Sequence, residues 1–334
     1  MPNLDKFENK TNYLWLDLLK GIAMIAVVID HLFYYYNNLS VQTHTGFHVS
    51  LFILLAGFTS AISIQNRGGV VNFSYILKRI SRIFVPYLIA TFIYCFYNKI
   101  LNPILIFQKI ITFSASGQLY FVFFYLQLVA ISIFIYKLIN HQKTKLLDIP
   151  LVLLFFLLSL LFNRYKIINS FYGGSGVLFG GSFFFLYTLG FFIKKYEHFL
   201  DKKIFNYFLL PISLAFFVIF EYFNLISKSW SNPANNLLII YCLIVFSLFS
   251  SLYQLVFTHF PKILKPITLV GQQSLSVFLY HTLIINIFSK FLPFPKNYSL
   301  LTTFYLLILA TYLPIIIFSL SKKPKFQKSK ALTH

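Results

Sequence analysis

The segment Leu16 to His31, LDLLKGIAMIAVVIDH, sets Lys20, Asp30 and His31 in an otherwise apolar run. A group that can charge costs roughly 2.5–3.5 kcal/mol at the centre of a bilayer, so such residues face a protein interior or a wet cavity and act there. At 100° per residue, Lys20 and His31 fall within about 20° of one helix face and lie about 16 Å apart along the axis. They can line one groove, with Met24 and Val27 between them, but they cannot touch. An imidazole has an unperturbed pKa near neutrality and so can take up and return a proton. Asp30 points about 100° away from His31 and does not orient it within the same turn. The plainer alternatives are a Lys20 that snorkels to the surface and pairs with Asp17, and a His31 that bonds a neighbouring helix. Two ionisable groups side by side at depth favour chemistry for Asp30 and His31.

Two further segments carry groups of the same kind. In KRISRIFVP, Lys78 to Pro86, Arg79 and Arg82 are three residues apart on one helix face. That spacing suits a phosphate or diphosphate held by bidentate contacts at a membrane surface, and it equally suits simple positive flanking of a span. In SLSVFLYHTLII, Ser274 to Ile285, His281 follows Tyr280 in a run with no other charge. A core histidine bonded to a neighbouring helix is the structural alternative.

The elements that position these groups are membrane helices. The chain has 334 residues, 58% hydrophobic, 20% aromatic and 11% charged, with a mean hydropathy of +0.75, which excludes an ordinary soluble domain. Ten spans of about 20 apolar residues are expected, at 14–36, 47–65, 83–98, 117–138, 149–162, 177–193, 205–223, 236–258, 268–289 and 299–320. The first is too long for a signal-peptide core and has no small-residue cleavage pattern, so it reads as a retained helix. The formal charge of +20 does not indicate nucleic acid, because the basic residues fall between apolar stretches rather than along a polar face. With the N-terminus in the cytoplasm, 21 of the 28 basic residues lie inside, among them the lysines of the tail KKPKFQKSK, and an even number of spans returns that tail to the same side. Binding to anionic lipid is a second reading of the tail.

Cys95 and Cys242 each sit inside an apolar stretch, so neither a disulfide framework nor a zinc site is supported, and no metal is expected. The glycines of Gly173-Gly174-Ser175-Gly176 and Gly180-Gly181 lack the ending of a phosphate loop and read as a flexible outer loop leading into a helix. No internal repeat or compositional break divides the chain. The expectation is one all-α polytopic transmembrane bundle over residues 1–334, with a short cytoplasmic N-terminus (1–13) and a basic cytoplasmic C-terminal tail (321–334).

Taken together, these segments resemble acyltransferase family three, the polytopic membrane acyltransferases that O-acetylate bacterial surface polysaccharides. Leu16-Asp17-Leu18-Leu19-Lys20-Gly21-Ile22-Ala23 with His31 is similar to the family's first helix, where an Arg usually stands at the position of Lys20. FHVSLFILLAGF, with His48 and Ala56-Gly57, looks like its second helix. Arg79 and Arg82 followed by Pro86 resemble its Arg-x-x-Arg entry to the third. Leu119-Tyr120-Phe121 stands where the family has an aromatic pair with Trp, and SLSVFLYH resembles its late histidine segment. The resemblance spans nearly the whole chain. Lys20 keeps the charge of the usual Arg but loses its planar fork.

The resemblance implies acyl transfer from a cytoplasmic donor, acetyl-CoA or another acyl-CoA, to a hydroxyl of a lipid-linked or cell-surface glycan, with no permanently bound cofactor. Arg79 and Arg82 would hold the donor's phosphates, with Lys20 further along. His31 would act as general base, with Asp30 tuning it or positioning the acceptor. His281, Tyr120 and His48 would line the acceptor site. The rival class is a secondary transporter or flippase for a glycan or lipid intermediate, for which the isolated Glu221 is the available acidic group; the unmatched halves of the chain count against it.

Overall fold

The computed structural model describes residues 13–35, 39–69, 73–140, 145–171, 174–226, 233–291 and 300–321. The lysines of the two termini, which count toward the expected orientation, lie outside them. The described chain is almost entirely helical, because a segment in lipid must satisfy its own backbone N–H and C=O groups.

The chain opens with α1 (Leu14–Tyr35), a short α2 (Leu39–Thr45) and α3 (His48–Gln65). Next come α4 (Phe73–Tyr97), α5 (Pro103–Ile111) and α6 (Tyr120–Asn140), then α7 (Asp148–Phe162) and a two-stranded hairpin, β1 (Lys166–Phe171) with β2 (Gly174–Val177). The second half holds α8 (Ser182–Lys195), the single turn α9 (Glu197–Leu200), α10 (Lys203–Tyr222), α11 (Asn236–Leu255), α12 (Pro261–Gln272), α13 (Ser274–Phe291) and α14 (Leu300–Ser321). Side-chain caps start two of these helices: Asn102 accepts from the Ile104 amide at 2.9 Å and Asn235 from the Leu238 amide at 2.8 Å.

Six segments among the described residues are long and apolar enough to cross a membrane: Val41–Gln65, α4, Gly117–Asn140, α10, α11 and Thr302–Leu320. The expected count of ten also included α1, which carries Asp17, Lys20 and Asp30, and the shorter α7 and α8.

Three expectations change. The span predicted at 83–98 begins at Phe73, so Arg79 and Arg82 lie within the helix rather than at its entry. The span predicted at 268–289 breaks at Gln273 into α12 and α13. The glycine-rich loop is in part a hairpin, with antiparallel pairs Lys166 to Val177 and Phe171 to Gly174.

Two apolar cores flank α1. Leu16, Leu19, Ala23 and Ala26 face the first, with Phe58, Tyr187, Phe191 and Tyr241 of α3, α8 and α11. Met24, Val27, Val28 and Leu32 face the second, with Tyr87, Tyr94, Leu279 and Ile285 of α4 and α13. Phe52 and Phe121 pack against both cores. A helix that buries apolar residues in two directions is a dividing wall rather than a surface helix.

Glycines set the tightest helix crossings. A Cβ at Gly21 would run into the Ile267 carbonyl, and one at Gly271 into the Asp17 carbonyl, so α1 and α12 meet backbone to backbone. Gly57 and Gly190 do the same for α3 and α8, against the carbonyls of Tyr187 and Leu54. Small residues allow such approach where lipid gives helices no hydrophobic reason to associate.

A polar clamp ties three helix ends. Lys195 Nζ donates to both oxygens of Asp148 at 2.8 Å and to the Ile139 carbonyl at 3.1 Å, and the Tyr196 hydroxyl donates to the same carboxylate. Asp148 is buried, so Asp148→Ala strands the Lys195 ammonium. The expected loss is about 3 kcal/mol. Thermal unfolding in detergent measures it, and Asp148→Leu with Lys195→Met should recover most of it.

Candidate functional site

His31 and His281 meet across the wall between α1 and α13, with ring centroids 5.0 Å apart. They are 250 residues apart in the chain and come together because α1 packs against both α12 and α13. His281 is fully buried. Its Nδ1 lies 3.0 Å from the Val277 carbonyl and 2.9 Å from the Phe278 carbonyl. A carbonyl only accepts, so Nδ1 carries the proton and Nε2 presents a lone pair. That Nε2 is buried without a partner among the described residues. His31 is partly accessible, and its ring has no hydrogen-bond partner among the described residues.

A third imidazole belongs to the same cluster. His48, at the start of α3, donates from Nδ1 to the Thr45 carbonyl at 2.7 Å and lies within electrostatic range of both other rings. Asp30 does not bond His31 within its own turn, as expected. Its carboxylate lies 3.5 Å from the Thr45 hydroxyl, and its carbonyl accepts from Gln42 Nε2 at 3.3 Å. The link from Asp30 to His48 therefore runs through α2. The same short helix carries His44, which pairs with Glu221 at 3.1 Å, and the Tyr241 hydroxyl donates to the His44 carbonyl. Glu221 is therefore not an isolated acid.

The basic groups gather at the opposite end. Trp15 packs on Phe58 at 5.0 Å, so α1 and α3 run antiparallel, with His31 and His48 at one end and Lys20 and Ser60 at the other. Ser60 is twelve residues from His48, about 18 Å along α3, which matches the ~16 Å from Lys20 to His31 on α1. Arg79 Nη2 donates to Ser60 Oγ at 2.8 Å, and Ser60 lies 2.7 Å from the Tyr187 hydroxyl. The phenols of Tyr75 and Tyr125 complete the surroundings of this guanidinium. Its Nη1 is buried with no partner among the described residues.

Arg82 is exposed, so the two arginines expected to act as a pair are divided between an interior cradle and the outer face of α4. Lys20 is partly buried and makes no ion pair among the described residues. The expected partner, Asp17, accepts from Gln272 Nε2 at 3.0 Å instead. Lys194, not singled out in the sequence, adds a nearby cation over Tyr13 at 5.8 Å and is paired with Glu197.

Tyr120 packs edge-on against Phe124 at 5.8 Å. Its neighbour Phe121 reaches the histidine helix, at 5.1 Å from Phe278, whose ring is 6.2 Å from His281. A buried polar network missed in the sequence lies behind His281. Gln118 Nε2 donates to the Tyr94 hydroxyl at 2.7 Å, and that hydroxyl lies 2.6 Å from Thr282 Oγ1. A groove of about 590 Å³ beyond it is lined by Ile93, Phe96, Tyr97, Lys99 and Leu283. Leu283 stands about 200° round the helix from His281, so this groove is not the face where the imidazoles meet.

Among the described residues, no group of three histidine, cysteine or acidic side chains could hold a metal ion. What the cluster offers is proton transfer at unpartnered imidazole nitrogens, one helix length from a set of cations.

The family model of the acyltransferase domain, acyltransferase family three, matches residues 13–320. No curated protein matches the chain. No solved structure matches it either.

Proposed function

The chain belongs to acyltransferase family three and is a multi-pass membrane acyltransferase, and from that premise we propose that it moves an acetyl group from acetyl-CoA to a hydroxyl of a cell-surface or lipid-linked glycan. The observation that carries the mechanism is the His31 ring, partly accessible and without a hydrogen-bond partner among the described residues, with its centroid 5.0 Å from that of His281. In the proposed step His31 takes the proton from the acceptor hydroxyl as its oxygen attacks the thioester carbonyl. The C–S bond then breaks, and the departing thiolate recovers the proton from the imidazolium. The lone pair on His281 Nε2 accepts from the proton-bearing His31 ring and steadies it. Asp30, held by α2, adds negative charge beside that imidazolium.

The donor's phosphates would sit at the cationic end, against Arg79 and Lys20. The separation of about 16–18 Å between that end and the imidazoles suits an extended pantetheine arm. Arg79, with one buried nitrogen unpaired among the described residues, is the principal contact; Arg82 meets the phosphates from the surface of α4. The basic excess supports an orientation with this end, and both termini, on the cytoplasmic side of the cell membrane.

The test is direct. A strain lacking the protein should lose ester-linked acetyl groups from its surface glycan, and purified protein should transfer label from acetyl-CoA to that glycan. An unchanged glycan ester content sinks the reading. In the same assay Arg79→Gln should raise KM for acetyl-CoA by more than tenfold, and Arg82→Gln by less than threefold. Equal effects would restore the two arginines to a matched pair.

A further inference from the structure

The Tyr94 hydroxyl makes an unusual set of contacts. It donates to the Leu279 carbonyl at 3.0 Å and accepts from the Leu283 amide at 3.1 Å. Those two groups are the ends of one helical hydrogen bond, since residue 283 pairs with residue 279 in an α-helix. One phenol from α4 therefore bridges a single turn of α13, and His281 is the middle residue of that turn. A polar side chain placed in a helical ladder sets the local pitch and bend of the helix. Gln118 Nε2 donates to the same hydroxyl at 2.7 Å, and the Ser116 hydroxyl in turn donates to Gln118 Oε1 at 2.6 Å. The phenol is buried, so it has no water to turn to, and its protein partners hold it in one place.

The bonds of His281 depend on that turn. Its Nδ1 uses the carbonyls of Val277 and Phe278, the two residues before Leu279, to fix the ring, and Nε2 is left without a partner among the described residues. A change of pitch at Leu279 alters the positions of these carbonyls relative to the ring. It also alters the height of His281 against α1.

We propose that Tyr94 is a positioning residue for the His31–His281 pair, acting through the bridged turn of α13 to fix which nitrogen of His281 carries the proton beside His31. This rests on the histidine mechanism proposed above and goes beyond it, because Tyr94 touches neither imidazole. Tyr97 supplies the control. Its hydroxyl donates to the Asn286 carbonyl at 3.3 Å, tying the same two helices together without bridging the histidine turn.

The experiment compares Tyr94→Phe and Tyr97→Phe in purified protein, with His31→Ala alongside. Tyr94→Phe should lower kcat for acyl transfer 10- to 100-fold with KM for acetyl-CoA within twofold, while Tyr97→Phe stays within twofold in both. Nitrogen-15 spectra of labelled histidine give a readout that does not depend on turnover: His281 should show a single Nδ1–H tautomer in the parent and a mixture in Tyr94→Phe. Wild-type kcat in Tyr94→Phe, equal losses in both tyrosine variants, or an unchanged His281 spectrum would each overturn the proposal. If His31→Ala keeps full activity, the histidine mechanism itself fails, and the spectra still decide whether Tyr94 fixes the ring.

Discussion

His31→Ala is expected to lower acyl transfer by about 10³-fold and to leave the fold intact. The size follows from the loss of a positioned general base, which contributes roughly 10²–10⁴. The intact fold follows from the hydrogen bonding of the ring: the His31 side chain has no partner among the described residues, so its removal strands no buried donor or acceptor. A structural histidine would behave in the opposite way, because truncating it would leave an unsatisfied partner at a cost of about 1–3 kcal/mol. Single-turnover transfer of label from acetyl-CoA, with thermal unfolding of the same preparations, separates the two. Transfer within threefold of the parent would remove His31 from the chemistry. His31→Gln adds a second arm, since an amide fills much of the ring's space but cannot carry the proton, and it should be as inactive as alanine.

The second large effect is on assembly. Gly57→Val should prevent α3 and α8 from closing, because its Cβ would lie inside contact distance of the Tyr187 carbonyl, and backbone cannot step aside as a flexible side chain can. The same crossing brings Ser60 to Tyr187 and so builds the Arg79 cradle. The expected cost exceeds about 4 kcal/mol, in the range reserved for overpacked cores and broken networks. Monodisperse protein recovered from membranes and its melting temperature measure the effect. Gly68→Ala is the comparison: that residue has φ +69°, but nothing lies within 4 Å of the added Cβ. It should cost only about 1–2 kcal/mol of backbone strain. Equal recovery of the two variants would show that the α3–α8 crossing tolerates a wider gap.

The helical class, the family and the three histidine- or arginine-bearing segments were legible in the sequence because each is a local signal: a long apolar run, a charge within it, a short motif. Facing was not. Helices such as α3 and α14 are apolar nearly all round, so no polar stripe says which side meets a partner. This is why the spacing of Arg79 and Arg82, one turn apart, suggests a pair although one points into the bundle and the other out. The break at Gln273 was hidden for a related reason, since the apolar content continues across it and Gly271 is consumed by the contact with α1. Bonds between distant residues leave no local trace. Tyr94 and Thr282 are separated by 188 residues, and Ser60 and Tyr187 by 127. No spacing rule reaches that far.

The position of α1 as a wall between two cores also governs how the protein is made. Asp17 finds Gln272 only 255 residues further along the chain, and His31 waits as long for His281. At about 5–20 residues per second, the ribosome needs roughly 13–50 s to supply those partners. Throughout that interval a helix that carries Asp17, Lys20, Asp30 and His31 is in place without those partners. This charge-bearing helix is made before the helices that enclose it, so a chain cut short before α12 leaves Lys20 and His31 for quality control to find.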